Sequence, residues 1–264
     1  MASDDTLLVE PLPAFDDNYI WLLRRAGQGT CAVVDPGDED PVIARVAELG
    51  LALSAILITH KHGDHVGGVR ALKRRWPGAV VYGPADEPVP ERDVSLHGGE
   101  RIEVAGLGDA FEVLAVPGHT EGHIAYLGGG RLFCGDTLFA CGCGRVFSGT
   151  FEQLAAAMQR FAALPDDTRV YCAHEYTLVN MGFAKWVEPD NGALLAREAE
   201  ATALRGRGEP TLPSTIGLER ETNPFLRAAE PGVRAAAEHW AGRSLTSSTE
   251  VFTAIRQWKD RDYD

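Results

Sequence analysis

Short apolar runs separated by glycine- and proline-bearing turns dominate the chain up to about residue 177. "YIWLLRR" and "TCAVVDPG", parted by "AGQG", predict a hairpin. "PVIARVAELG" puts apolar residues at helical spacing, with Pro41 at its start and Gly50 at its end. "LSAILITH" predicts a buried strand that ends at His60, and "VGGVRALKRRWPG" a helix that stops before Pro77. "AVVYGP", "FEVLAVPGHT", "IAYLGGG" and "RLFCGDTLF" continue as strands, followed by the amphipathic "FEQLAAAMQRFAAL" and a further strand, "TRVYCAHEY". Beyond residue 178 the pattern turns helical, through "NGALLAREAEATALRGRG", "PGVRAAAEHWAG" and "STEVFTAIRQWKD". The expectation is a mixed α/β domain over 1–177 and a helical domain over 178–264.

With 264 residues, 45% of them hydrophobic, the chain has room for one large domain or a medium domain with an appendage. No stretch approaches the roughly 20 apolar residues that span a bilayer. The start, "MASDDTLLVE", is acidic and lacks a basic flank, which predicts neither a signal nor a transit peptide. A net charge of −13 opposes nucleic-acid and anionic-membrane partners, because both need clustered Lys and Arg. Five cysteines make no legible disulfide framework, and a cytoplasmic protein is expected.

The chemistry concentrates in "ITHKHGDHVGG". On a strand, His60 and His62 would share a face, with Lys61 pointing away. Gly63 allows a sharp turn, after which Asp64 and His65 open the next helix. A lone histidine here would read as a polar strand end, but three with an aspartate read as metal ligands. Other ligand-type residues also follow β-type runs: His119 and His123 in "VPGHTEGH", Asp136 in "FCGDTLF" and His174 in "YCAHEY". Spacing does not choose between His119 and His123. The set exceeds what one tetrahedral ion needs and suits two ions, with an aspartate able to bridge.

The order H-x-H-x-D-H, "GHTEGH", "GDTLF" and "AHEYT" resembles the metallo-β-lactamase superfamily. Within it, "FDDNYIWLL", "VVDPG", "GCGR", "NPFLR" and the terminal "IRQWKD" resemble the hydroxyacylglutathione hydrolase (glyoxalase II) family. The resemblance implies an αββα sandwich with a smaller C-terminal helical domain. It implies a first metal on His60, His62 and His119, a second on Asp64, His65 and His174, and Asp136 bridging them. Asp64 and Asp136 would be the carboxylates of the catalytic centre. Zinc is the expected metal, with iron and manganese as alternatives. A water shared by the two cations would supply hydroxide to the carbonyl of S-D-lactoylglutathione or a similar thioester. Such a reaction is the second step of methylglyoxal detoxification.

The resemblance further implies that Arg145, Tyr176, Arg256 and Lys259 bind the glutathione portion. Arg256 and Lys259 are three apart, so a helix would present them on one face. Phe147 stands where family members often carry Tyr, which removes one hydroxyl contact. A monomer is expected. Cys134 and Cys172, each two residues before a candidate ligand, read first as small core residues; if their strands ran straight both thiols would face the metal side, where oxidation would disturb the site. A one-iron persulfide dioxygenase of the same superfamily shares H-x-H-x-D-H; the tail motifs favour the hydrolase.

Overall fold

The structure is a computed structural model and describes residues 7–263. The acidic start on which the targeting expectation rests lies mostly outside the described residues. The chain divides into two units, one running to Ala115 and including Gly122–Gly135, the other holding Val116–Glu121 and the chain from Asp136 onward.

In the first unit, β1 (Leu7–Ala14), β2 (Asn18–Arg25), β3 (Thr30–Val34), β4 (Ala52–Leu57), β5 (Val80–Pro84) and β6 (Val94–Leu96) form one sheet in sequence order. The β1–β2 and β2–β3 pairs are antiparallel, and the remaining pairs are parallel. Parallel neighbours need a crossover. It is supplied by α1 (Asp40–Glu48) between β3 and β4, and by α2 (Gly63–Val66) and α3 (Val69–Arg75) between β4 and β5. Val42 and Val46 of α1 and Val69 and Leu72 of α3 pack with Leu22, Val33 and Ile56 of the sheet. Burying each such side chain contributes about 1.5–3 kcal/mol. Consecutive residues Leu22 and Leu23, on opposite faces of β2, are both inaccessible, so the sheet is covered on both sides.

A second layer of this unit is an antiparallel meander of β7 (Arg101–Glu103), β8 (Ala110–Ala115), β9 (Ile124–Gly128) and β10 (Arg131–Gly135). Buried Tyr126 of β9 donates its hydroxyl to the Ile58 carbonyl at 2.8 Å, tying this layer to the chain just beyond β4.

Two features differ from the sequence expectation. The strand β1 carries Pro11 and Pro13, which break the alternation that marks a strand. Proline is tolerated there because β1 is the sheet edge. The strand β4 ends at Leu57, three residues short of His60.

The second unit begins its regular structure with the two-residue strands β11 (Leu138–Phe139) and β12 (Gly142–Cys143), which form a tight hairpin. Helix α4 (Phe151–Ala162) starts with a capping box between Thr150 and Gln153. Strand β13 (Arg169–Cys172) leads to α5 (Thr177–Val187), α6 (Gly192–Gly206) and β14 (Ser214–Thr215), which pairs antiparallel with β13. Then come α7 (Ile216–Thr222), α8 (Pro231–Ala241) and α9 (Ser248–Trp258), the last running into a π-helical turn at Lys259–Tyr263. Phe183 of α5 packs its ring against Phe225, Trp258 and Tyr263. Helix α5 was not expected: it follows the ligand stretch at once, and Tyr176 at its start offers no capping side-chain bond. No helix among the described residues is long and apolar enough to cross a membrane.

Candidate metal centre

The loop from Ile58 to His62 is held open by two buried carboxylates. Asp35 accepts the Thr59 amide at 2.8 Å and the Thr59 hydroxyl at 2.7 Å. Glu87 accepts the Lys61 amide at 2.7 Å and the Gly122 amide at 3.1 Å. His60 and His62 therefore come together from this loop, correcting the strand geometry expected for them. The Nδ1 of His60 faces the Thr59 hydroxyl at 3.1 Å, so its Nε2 points to Nδ1 of His62, also at 3.1 Å.

Helix α2 follows immediately. His65 lies between two carboxylates, Nδ1 3.1 Å from Asp35 and Nε2 3.4 Å from Asp64. A carboxylate behind an imidazole fixes its tautomer and raises its basicity, as is usual for a metal-binding histidine. Asn18 donates to the same Asp64 oxygen at 3.1 Å. Gly37 admits this arrangement because a Cβ there would stand 1.8 Å from the Asp64 carbonyl. His123 is buried with its ring stacked 4.7 Å from that of His60.

The remaining ligand-type residues surround Asp136. One of its oxygens is 3.5 Å from Nε2 of His119, and the other is 3.4 Å from Nε2 of His174. His119 Nδ1 donates to the Arg145 carbonyl at 2.8 Å, which directs the Nε2 lone pair toward Asp136. Tyr176 stacks on the His174 ring at 4.7 Å, and Phe147 stands edge-on to His119 at 5.2 Å.

Among the described residues, the first unit contributes His60, His62, Asp64 and His65 as candidate ligands, and the second contributes His119, Asp136 and His174. The donors are imidazole nitrogens and carboxylate oxygens, suited to zinc, iron or manganese. Two donors on one tetrahedral ion, with bonds near 2.0–2.1 Å, stand about 3.4 Å apart. The Asp136–His119, Asp136–His174 and Asp64–His65 separations match that edge, so the residues fit a pair of cations.

The residues expected to hold substrate take different positions. Arg145 is half exposed, with Nε 3.7 Å from Asp260. Arg256 is inaccessible: it donates to the Cys143 carbonyl at 3.0 Å and to Asp260 at 2.9 Å, and its guanidinium lies over the Phe225 ring. Lys259 is buried, its ammonium 5.9 Å from the Tyr263 ring centre. Asp35, Glu87 and Asn18 were not singled out from sequence. Their signal was weak, since an aspartate before Pro-Gly reads as a turn residue and Glu87 lies in an irregular polar stretch.

All five cysteines are buried and none is in a disulfide. The Cys172 thiol points at the His174 carbonyl, at 3.8 Å. Burial pushes the Cys31 and Cys141 thiols up to about 12 and that of Cys143 up to about 11, and it raises Cys172 as well. Such thiols stay protonated and resist oxidation. The unfolded chain releases these protons from about pH 9, whereas the fold keeps them to about pH 11–12. In that window the unfolded state holds fewer protons, so stability falls as pH rises through it. Urea midpoints measured from pH 8 to 11 are expected to decline, and less steeply in Cys31→Ala; equal slopes would contradict the burial of that thiol's proton.

Residues 14–174 match the family model of the metallo-β-lactamase superfamily, and residues 175–262 match that described as hydroxyacylglutathione hydrolase C-terminus. Hydroxyacylglutathione hydrolase of Pseudomonas entomophila is 54% identical, over 96% of this chain and 98% of that protein. The protein of the same name from Pseudomonas aeruginosa strain LESB58 is 56% identical over the same shares. Among solved structures, ETHE1 from Myxococcus xanthus is similar with a TM-score of 0.67 at 25% identity, over 98% of this chain and 93% of its own. TTHA1623 in a di-iron-bound form gives a TM-score of 0.58 at 27% identity, over 82% and 100%.

Proposed function

The chain belongs to the hydroxyacylglutathione hydrolase family of the metallo-β-lactamase superfamily, and on that footing we propose a two-metal thioester hydrolase. It hydrolyses S-(2-hydroxyacyl)glutathione, S-D-lactoylglutathione foremost, to glutathione and a 2-hydroxy acid, the second step of methylglyoxal detoxification. The observation that carries the two-metal reading is Asp136, whose two oxygens each face a different histidine at 3.5 and 3.4 Å. His60, His62 and His119 would hold one ion, Asp64, His65 and His174 the other, and Asp136 would bridge. We take zinc as the metal, since imidazole and carboxylate donors in near-tetrahedral spacing suit it.

When bound, such ions polarise a carbonyl and activate water near neutral pH. The protein's own part is to hold the ligands in register and to place the thioester against them. Asp35 and the Arg145 carbonyl orient His65 and His119 from behind. The leaving group is a thiolate, with a free pKa of about 8.5, so no dedicated general acid is required.

A substrate with carboxylates needs local cations on a chain of net charge −13. Arg145, Tyr176, Arg256 and Lys259 supply them and a flat ring, and all four belong to the unit that contains Asp136. Arg256 contributes by holding the Cys143 carbonyl and Asp260 in place, while Arg145 and Lys259 offer charge. A division of labour near residue 177 is supported by the junction of the two family matches at 174 and 175. Buried cysteines outside any disulfide support a reducing cytoplasm as the compartment. All ligand types come from one chain, which supports action as a monomer.

Release of thiol from S-D-lactoylglutathione by metal-loaded protein tests the function directly. Absence of turnover, with oxygen uptake on glutathione persulfide instead, would overturn it. Lys259→Ala is expected to raise KM about tenfold, the order of one charge-assisted hydrogen bond, and to leave kcat nearly unchanged. A fall in kcat at constant KM would refute that role for Lys259.

A further inference from the structure

We propose that Asn223 and the buried Arg197–Glu219 pair are positioning residues for Asp136, acting through the hairpin of β11 and β12; this rests on the two-metal reading above. The hairpin starts two residues after Asp136. At its base the Gly144 amide donates to the Thr137 carbonyl at 3.3 Å, and Gly144 packs so closely that a Cβ would meet the Asp136 carbonyl at 2.0 Å and His119 Nδ1 at 2.9 Å. Any shift of the hairpin is thus passed to the bridging carboxylate and to one histidine.

The far end of the hairpin is held by side chains of the helical segment. Asn223, the first residue of "NPFLR", donates to the Phe139 carbonyl at 3.1 Å and to the Gly142 carbonyl at 2.9 Å, one on each strand. Asn180 donates to the Ala140 carbonyl at 3.1 Å. Glu219 accepts the Cys141 amide at 2.8 Å and Asn223 at 3.0 Å on one oxygen, and Arg197 at 2.6 Å on the other. Arg197 also reaches the Cys141 sulfur at 3.1 Å. Between these bonds Cys141 takes a φ of +55°. A non-glycine residue keeps that conformation only where its surroundings over-determine it.

The ion pair is sealed in, with Glu219 inaccessible and Arg197 7% exposed. Such a pair adds little net stability over apolar residues of the same volume, and its best-attested use is to fix one arrangement among several. Here the arrangement fixed is the hairpin beside Asp136.

The test compares zinc affinity, by competition with a chromophoric chelator, with kcat, KM and Tm in Asn223→Ala and Asn223→Ser. Asn223→Ala is expected to lose about tenfold or more in zinc affinity, with kcat falling and KM within about twofold. Asn223→Ser is expected to lose less, in the same direction. Glu188→Gln, which breaks the bidentate pair with Arg227 elsewhere in the helical segment, serves as comparator and is expected to lower Tm without moving zinc affinity. By reciprocity, zinc is expected to slow amide exchange over 138–143 in the unmodified protein, a readout that needs no variant. Asn223 variants that lose Tm alone, or hairpin exchange indifferent to zinc, would overturn the proposal. An unmodified protein that binds no zinc would refute the two-metal reading instead.

Discussion

Asp136→Asn is expected to lower kcat/KM for S-D-lactoylglutathione by about a thousandfold and to leave the purified chain with fewer than two ions. An amide keeps one oxygen and replaces the other with NH2, which cannot ligate a cation. One of the two contacts, to His119 at 3.5 Å or to His174 at 3.4 Å, is then lost as a shared-ion position. Metal-borne charge stabilisation amounts to several kcal/mol of barrier, and about 4 kcal/mol corresponds to a factor near 10³. Retention of two ions with near-normal turnover would show that Asp136 does not bridge. The substitution keeps volume and shape, so a large fall in Tm of the metal-free protein is not expected.

Gly144→Ala tests the same site from the backbone side and adds one methyl group. That methyl would lie 2.0 Å from the Asp136 carbonyl oxygen and 2.9 Å from His119 Nδ1. The obstacle is main chain, so it cannot rotate away; the hairpin base or the Asp136 strand end must move by about 1 Å. Misplacement on that scale costs about a hundredfold in rate. The expected result is a comparable fall in kcat, weaker metal retention and a lower Tm, read by single-turnover kinetics, metal analysis and calorimetry. An unchanged kcat in Gly144→Ala would mean that the close packing of this glycine on Asp136 and His119 is not maintained in solution.

The contrast between these residues explains what was legible in the sequence. Ligand types were legible because imidazoles and carboxylates beside apolar runs are chemically conspicuous. His60, His62, Asp64 and His65 fall within six positions, and His119, Asp136 and His174 each follow a strand. Their exact setting was not. The strand β4 stops at Leu57, and His60 and His62 meet because Asp35 and Glu87 hold the loop, a long-range cause that leaves no periodic trace. Gly144 looks like any turn glycine until its neighbours are known.

Secondary structure followed the same rule. Helices with clear apolar spacing, such as α1 with a proline in its first turn and α4 with its capping box, were read from pattern alone. The edge strand β1 was hidden by its prolines, and the short β6 and β7 by their three-residue length. Arg256 was singled out for its charge, but its complete burial against Phe225 and the Cys143 carbonyl depends on tertiary packing.

The most direct measurement counts metal ions per chain on the same sample whose S-D-lactoylglutathione hydrolysis is recorded, as metal is added back stepwise to stripped protein. The expected result is two ions per active chain, with turnover rising as the second ion binds and neither ion held normally in Asp136→Asn. Full hydrolysis by a chain that carries a single ion would contradict the shared-carboxylate centre.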